Sequence, residues 1–533
     1  MSRGKSLLRS GAGLSVLTLV SRILGLLREM TKAALLGTSA LSDAFSVAFL
    51  IPNLFRRLFA EGSIAVAFIP TLKEYLLEGD RAKTREFISC MFTFLTFFVS
   101  LAVIGGILIT PLLIPLFGIA AFDETVLLTR IMFPFLAFIS VAALFQGILN
   151  SVHVFAPSGL APILLNAVTI ACAYGLSRFT QNPARAMAAG IIIGGFLEAA
   201  IQFPFVLKKG FRFFFTGLGR ALRNPGTRAV LRLVGPTIIG MAAYQLNDLV
   251  STALAGNAGE GVVSSLQYSL RLQELILGIF AVSIGTVLLP DLAEHAKSGH
   301  WEDYRLRLSQ AMDIIALITI PITFFFLAQG ETLIRLLFQT RSFDERSVAL
   351  TYGAFMFHMP GLFFIALNRI LAPAFYAQSD SRSPTLAGIL SFGVNIALAA
   401  LLVGPLKGSG VALALTIASA ANTALLLFFL GRNPRIAVGR VLFPALRYAA
   451  RIIVFSCVAA VPAVLSGPVL NGFFAGRGRL ISHGMPLFIR GLLFALTGII
   501  LLVLSQDKQF KALAGLFRRR GRGNLTTDGK QEI

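Results

Sequence analysis

The chain has 533 residues, 56% of them hydrophobic and 14% charged, with a mean hydropathy of +0.79. Soluble domains carry about a quarter charged residues, so a 57.3 kDa chain of this composition cannot cover a water-facing surface and is read as a polytopic membrane protein. Its net charge of +22 sits mainly in connections between apolar stretches, which points away from a nucleic-acid partner, and its three cysteines lie inside apolar stretches, which excludes a disulfide framework.

In chain order, apolar windows of about 20 residues predict spans over 12–36, 44–70, 87–110, 124–151, 158–178, 186–207, 230–254, 263–290, 311–328, 348–377, 385–404, 409–431, 446–468 and 485–506. Arg3, Lys5 and Arg9 precede the first apolar run as in a signal peptide. Arg22 and Arg28 interrupt that run and no small-residue cleavage site follows, so it reads as an uncleaved first span. The connections alternate in charge. One side holds the N-terminus, 71–86 with Lys73, Arg81, Lys83 and Arg85, and 208–229 with six Lys or Arg; the opposite loops at 37–43 and 111–123 carry none. Basic loops stay cytoplasmic, so fourteen spans place both termini in the cytoplasm. The end of the chain, with Arg518, Arg519, Arg520 and Arg522, reads as a disordered basic tail that sets topology and is drawn to anionic lipid.

The chain also repeats itself. Phe68-Ile69-Pro70-Thr71-Leu72-Lys73-Glu74 matches Leu288-Leu289-Pro290-Asp291-Leu292-Ala293-Glu294 at a shift of 220, and Gly79, Arg85 and Ser89 match Gly299, Arg305 and Ser309 in the same register. One residue later in register, Phe122-Asp123-Glu124 matches Phe343-Asp344-Glu345. The fold expected is all-α with two parallel six-helix lobes, 1–222 and 223–435, then a helix pair over 436–507 and a tail over 508–533. Parallel repeats place a substrate near the midplane at their interface, which suits alternating access. Two fused lobes leave no need for a dimer, so a monomer is expected.

Ionisable residues inside spans are costly and mark function. Span 1 carries Arg22 and Arg28, span 2 carries Arg56, Arg57 and Glu61, and span 8 carries Arg271 and Glu274. At about 1.5 Å per residue, Arg22, Arg56 and Arg271 fall roughly 12–18 Å from the ends of their spans, near the bilayer middle. Two readings stand side by side. Arg57 with Glu61, and Arg271 with Glu274, have helical spacing for structural ion pairs. Alternatively the arginines outnumber their partners and line a solvated cationic cavity for an anion, because the guanidinium fork matches phosphate bidentately. At the 220 shift Arg56 corresponds to Ile276 and Arg271 to Ile51, so the repeat keeps packing positions but not these charges, as expected of a site laid onto a symmetric scaffold.

Ser21-Arg22-Ile23-Leu24-Gly25-Leu26-Leu27-Arg28-Glu29, Ser42-Asp43-Ala44-Phe45 and Pro52-Asn53-Leu54-Phe55-Arg56-Arg57-Leu58-Phe59-Ala60-Glu61-Gly62 resemble the MurJ (MviN) family of lipid II flippases, in the multidrug/oligosaccharidyl-lipid/polysaccharide exporter superfamily. The resemblance runs through Tyr268–Glu274, Gly285–Pro290 and Leu371–Ala377 and weakens after about residue 440. It implies fourteen helices, and movement of lipid-linked peptidoglycan precursor from the inner to the outer leaflet of the bacterial cytoplasmic membrane. It implies that Arg22, Arg28, Arg56 and Arg271 hold the diphosphate head group, that Ser21, Asp43, Arg57, Glu61 and Glu274 support or gate the site, and that spans 13 and 14 form a groove for the lipid tail. Leu270 stands where relatives carry a carboxylate, which argues against an ion role there. The resemblance implies no cofactor. It implies coupling to Na⁺, for which Asn247, Asp248 and Asn395 are polar candidates, or to the membrane potential. The partners implied are lipid II, membrane lipids and cell-wall synthesis proteins.

Two other functions fit part of the sequence. Another undecaprenyl-linked oligosaccharide would suit the same cavity. A membrane enzyme acting on lipid diphosphates would need an acid, base or nucleophile constellation, whereas the five histidines are scattered and no such motif occurs.

Overall fold

The computed structural model describes residues 2–58 and 63–511, with side chains described for these apart from 2–16, 63–66, 236–244 and 279–287. The described chain is almost entirely helical. Its helices are α1 (Ser2–Leu36), α2 (Ala40–Arg56), α3 (Ser63–Glu78), α4 (Arg81–Leu113), α5 (Phe122–Met132), α6 (Phe135–Ser151), α7 (Ala156–Gly175), α8 (Pro183–Lys208), α9 (Leu218–Arg223), α10 (Pro225–Gly256), α11 (Val262–Lys297), α12 (Trp301–Phe338), α13 (Glu345–Tyr376), α14 (Arg382–Leu430), α15 (Gly439–Leu465), α16 (Gly467–Phe474) and α17 (Met485–Leu504). Among the described residues, nine helices are long and apolar enough to cross a membrane. They cover the expected spans except the first, second, seventh and eighth, the spans that carry most of the ionisable residues singled out above.

Of the span expected over 44–70, the structure describes α2, with Arg57 after it still in helical geometry, and α3 from Ser63; residues 59–62 lie outside the described residues. The spans expected over 385–404 and 409–431 are the two halves of α14, parted between them at Lys407, whose φ of 49° and ψ of −130° leave the helical region. A left-handed residue stops the ladder as a loop would. Helix starts follow their caps: Asp80 accepts from the N–H groups of Ala82 and Lys83 at α4, and Asn182 precedes Pro183 at α8.

The sequence match at the 220 shift extends to the backbone of one pair of turns. Gly79 closes α3 with φ +75° and Gly299 closes α11 with φ +73°, and α4 and α12 begin two residues after each glycine. Only glycine adopts that conformation freely, so the shift of 220 is kept by turn geometry as well as by sequence.

The chain divides into two compact units. The first comprises 1–271, 338–351 and 396–411; the second comprises 272–337, 352–395 and 412–533. In the first, α8 crosses α7 at Gly190-Ile191-Ile192-Ile193-Gly194, and a Cβ at Gly190 would stand 2.8 Å from the Thr169 Cα. Small residues let membrane helices approach this closely. Leu101, Ile104, Leu108 and Leu112 stand exposed along one face of α4 while Phe87, Ile88, Met91 and Leu95 are buried, the arrangement of a helix with one lipid face. In the second unit, Ala316, Leu317 and Ile320 of α12 pack against Ala449 and Ile452 of α15. Phe494 of α17 packs with Ala459 and Ala463 of α15. Arg490 of α17 is buried and donates to Gln329 Oε1 at 2.6 Å, the Gly467 carbonyl at 2.9 Å and Asn471 Oδ1 at 2.8 Å.

Candidate functional site

The first unit encloses a cavity of about 470 Å³, within the size range of small-ligand sites. One part of its wall is cationic. α1 supplies Ser21, Arg22 and Arg28, α2 and the residue after it supply Asn53, Arg56 and Arg57, and α11 supplies Arg271. The remaining wall comes from α6, α7 and α8 and carries amides and one carboxylate: Gln146, Asn150, Asn166, Gln202 and Glu198. Among the described residues, five arginines therefore face one acidic side chain.

Local contacts fix where several of these side chains point. Arg56 Nε donates to Asn53 Oδ1 at 2.8 Å, three residues back on the same helix. Arg28 donates to Glu29 Oε1 at 2.9 Å and lies 5.7 Å from the Phe49 ring centre. The Glu29 carboxylate in turn faces Lys32 Nζ at 3.4 Å. Lys32 is buried, reaches Ser46 Oγ at 3.2 Å, and sits 4.4 Å from the Tyr268 ring centre. This buried chain of charges holds Arg28 at the cavity edge.

Arg271 depends on a missing side chain. Its guanidinium lies against Gly25, where an added Cβ would collide with it. Its helix is seated by buried hydrogen bonds within the first unit. Asp43 accepts from the Gly261 N–H at 2.7 Å and the Ser264 N–H at 2.8 Å, capping α11 from another helix. The Tyr268 hydroxyl donates to the Gly37 carbonyl at 3.0 Å.

Three polar atoms bordering the cavity, Gln202 Oε1, Asn150 Oδ1 and Ser158 Oγ, are buried with no hydrogen-bond partner among the described residues. Buried polar groups are normally satisfied, so this wall suits an occupant that carries hydroxyl or N–H donors.

Of the residues expected from sequence, Ser21, Arg22, Arg28, Arg56, Arg57 and Arg271 line this cavity. Asp43 lies away from it as the cap of α11, and Glu274 is an exposed residue of α11 outside the lining. Glu61 falls outside the described residues. Asn247 and Asp248 are half-buried on α10 and Asn395 is buried on α14. The sequence reading missed Lys32, Glu198 and Gln202. Glu198 left a signal, a lone carboxylate in an apolar span, that the same test of intramembrane charge would have caught.

Comparison with known proteins bears on the family and the fold. Residues 32–483 match the family model described as Lipid II flippase MurJ. The "Probable lipid II flippase MurJ" of Treponema pallidum (strain Nichols) is 46% identical over 97% of this chain and 99% of its own. Among solved structures, "Lipid II flippase MurJ, inward closed conformation" aligns with a TM-score of 0.77 at 23% identity, over 93% of this chain and 99% of that one. An inward-facing multidrug resistance MATE family transporter of the MOP superfamily aligns with a TM-score of 0.64 at 14% identity, over 81% of this chain and 99% of its own.

Proposed function

The chain belongs to the lipid II flippase MurJ family, and we propose that it carries lipid II from the inner to the outer leaflet of the cytoplasmic membrane by alternating access. The observation that carries this reading is the cavity in the first unit, where five arginines face one carboxylate. A diphosphate needs charge-assisted donors in forked geometry, and Arg22, Arg28, Arg56, Arg57 and Arg271 supply them. The amide-lined wall supplies acceptors for the hydroxyl and N–H groups of a sugar-peptide head group.

A groove of about 610 Å³ in the second unit supports a place for the lipid tail. Its lining, including Leu317, Pro321 and Phe325 of α12 and Phe494, Ile499 and Leu502 of α17, is almost wholly apolar. The charge alternation of the loops supports cytoplasmic termini, and the repeat supports fourteen spans in lobes of 1–222 and 223–435 followed by a helix pair. Cycling draws on the membrane potential, worth about 2.3 kcal/mol per charge per 100 mV, or on Na⁺ with Asn247, Asp248 and Asn395 as oxygen donors.

The test is reconstitution in liposomes containing lipid II, following how fast the precursor becomes reachable by a membrane-impermeant probe. Wild type accelerates exposure, and Arg22→Ala, Arg56→Ala and Arg271→Ala each abolish the acceleration while remaining folded. If wild type moves lipid II no faster than empty vesicles but moves another undecaprenyl-linked oligosaccharide, the cavity reading stands and the substrate changes.

A further inference from the structure

The turn between α11 and α12, in the second unit, gathers His295, His300 and Asp303, whose ligand atoms all lie within 4.8 Å of one another. We propose that these three side chains form a binding site for a divalent transition-metal ion of the Zn²⁺ class. None of them lines the cationic cavity, so the proposal is independent of the transport reading.

The backbone sets the spacing. The His300 N–H donates to the His295 carbonyl at 3.0 Å and the Gly299 N–H donates to the Ala296 carbonyl at 3.4 Å, with Gly299 left-handed at φ +73°. That pair of bonds is a Schellman stop, and it holds the two histidines side by side at the end of α11. The Tyr304 N–H then returns to the His300 carbonyl at 3.1 Å, which opens α12 and places Asp303 one turn beyond His300. Ligands about 2.1 Å from one ion lie at most about 4.2 Å apart. His300 and Asp303 are exposed and His295 half-buried, so side-chain rotation closes the remaining gap without moving the backbone.

Each residue alone has a simpler role. His295 in the last turn of α11 and Asp303 in the first turn of α12 complement the helix dipoles. Those roles do not require convergence, and the repeat shows as much. At the 220 shift the same left-handed turn at Gly79 is built with Tyr75, Asp80 and Lys83 in these positions. The cation on the next turn of α12, Arg305, is directed to Glu302 at 3.2 Å and to the Arg435 carbonyl at 3.2 Å. Two imidazoles and a carboxylate suit Zn²⁺ and its first-row neighbours and leave a coordination position for water or a phosphate oxygen. The bound ion would fasten the ends of α11 and α12 together.

The experiment titrates Zn²⁺ into the full-length, untagged, detergent-purified chain by calorimetry, with Co²⁺ absorption as a second probe. Wild type is expected to take up one Zn²⁺, and His295→Ala, His300→Ala and Asp303→Asn each to weaken it by about tenfold or more, since even outer-shell changes cost that much. His153→Asn, which keeps a residue tolerant of its φ of +60°, binds as wild type. His300→Cys gives a thiolate-to-Co²⁺ charge-transfer band that wild type lacks. Absence of Zn²⁺ binding at millimolar metal, equal binding by wild type and folded His300→Ala, or a Co²⁺ spectrum of His300→Cys identical to wild type would each overturn the assignment.

Discussion

Gly25→Ala separates the cationic cavity from the fold that holds it. The Arg271 guanidinium occupies the space a Cβ at residue 25 would take, and the obstructed atom is the end of a flexible side chain rather than backbone. The helices therefore stay in place and the guanidinium retreats by about 1 Å to ordinary contact distance. A hydrogen bond to a charged group contributes about 1.5–3 kcal/mol, so losing Arg271's grip on a bound diphosphate corresponds to about ten- to hundredfold in affinity. Lipid II exposure in proteoliposomes and calorimetric affinity for undecaprenyl diphosphate should both fall by that factor. The melting temperature in detergent should not move. Both changes act through one guanidinium, so Gly25→Ala with Arg271→Ala should be no worse than Arg271→Ala alone. Wild-type transport by Gly25→Ala, or additive losses in the double variant, would refute the placement of Arg271.

Three further outcomes follow from contacts outside the cavity lining. Asp43→Ala leaves the Gly261 and Ser264 N–H groups uncapped and should destabilise the chain by about 1–2 kcal/mol; Asp43→Asn, which keeps one acceptor, should cost about half as much by thermal melting. Arg490→Met strands two buried acceptors, Gln329 Oε1 and the Gly467 carbonyl, and should cost about 3 kcal/mol, against a negligible change if the buried arginine is dispensable. Asp344, in the connection before α13, accepts from the Ser347 backbone N–H at 2.9 Å, and that bond holds its carboxyl below the usual range. Because the folded value is the lower one, its stabilisation is complete above the ordinary aspartate value of about 3.9 and disappears as pH falls from there through the folded value. Asp344→Asn should flatten this acid limb in melts recorded against pH.

The sequence made the apolar spans legible because lipid tolerates few polar residues over 20 positions. It made the arginines legible because several cations at that depth are costly and outnumber the carboxylates beside them. What it concealed has physical reasons. The seating of α11 by hydrogen bonds from Asp43 and Tyr268 joins residues more than 200 positions apart, which no local window registers. Gln202 was hidden because a lone polar residue in a membrane helix is ordinarily absorbed by its neighbours, and only the packed structure shows it bordering a cavity; Lys32, a cation inside the first expected span, left the same signal as Glu198. Asp43 stood in a motif beside the arginines, yet its carboxylate is spent on backbone N–H groups at the start of α11.

That cap bears on how a duplicated scaffold acquired an asymmetric site. Arg56 and Arg271 line the cavity, while the residues at their repeat-related positions, Ile276 and Ile51, are buried packing positions, 9% and 3% exposed. An arginine at the centre of a membrane helix costs about 2.5–3.5 kcal/mol on insertion scales, and water or an anion must offset that cost. Two symmetric cationic cavities would double the burden with one head group to share. Each of the two helices keeps isoleucine at one of the paired positions for packing, Ile51 on α2 and Ile276 on α11, and gives the other, Arg56 or Arg271, to the ligand. Arg271 can serve the first unit because residues 262–271 of α11 are fastened there, by Asp43 at its first turn and by Tyr268 three residues before the arginine. The charge thus comes from the second repeat, while the geometry that aims it comes from the first.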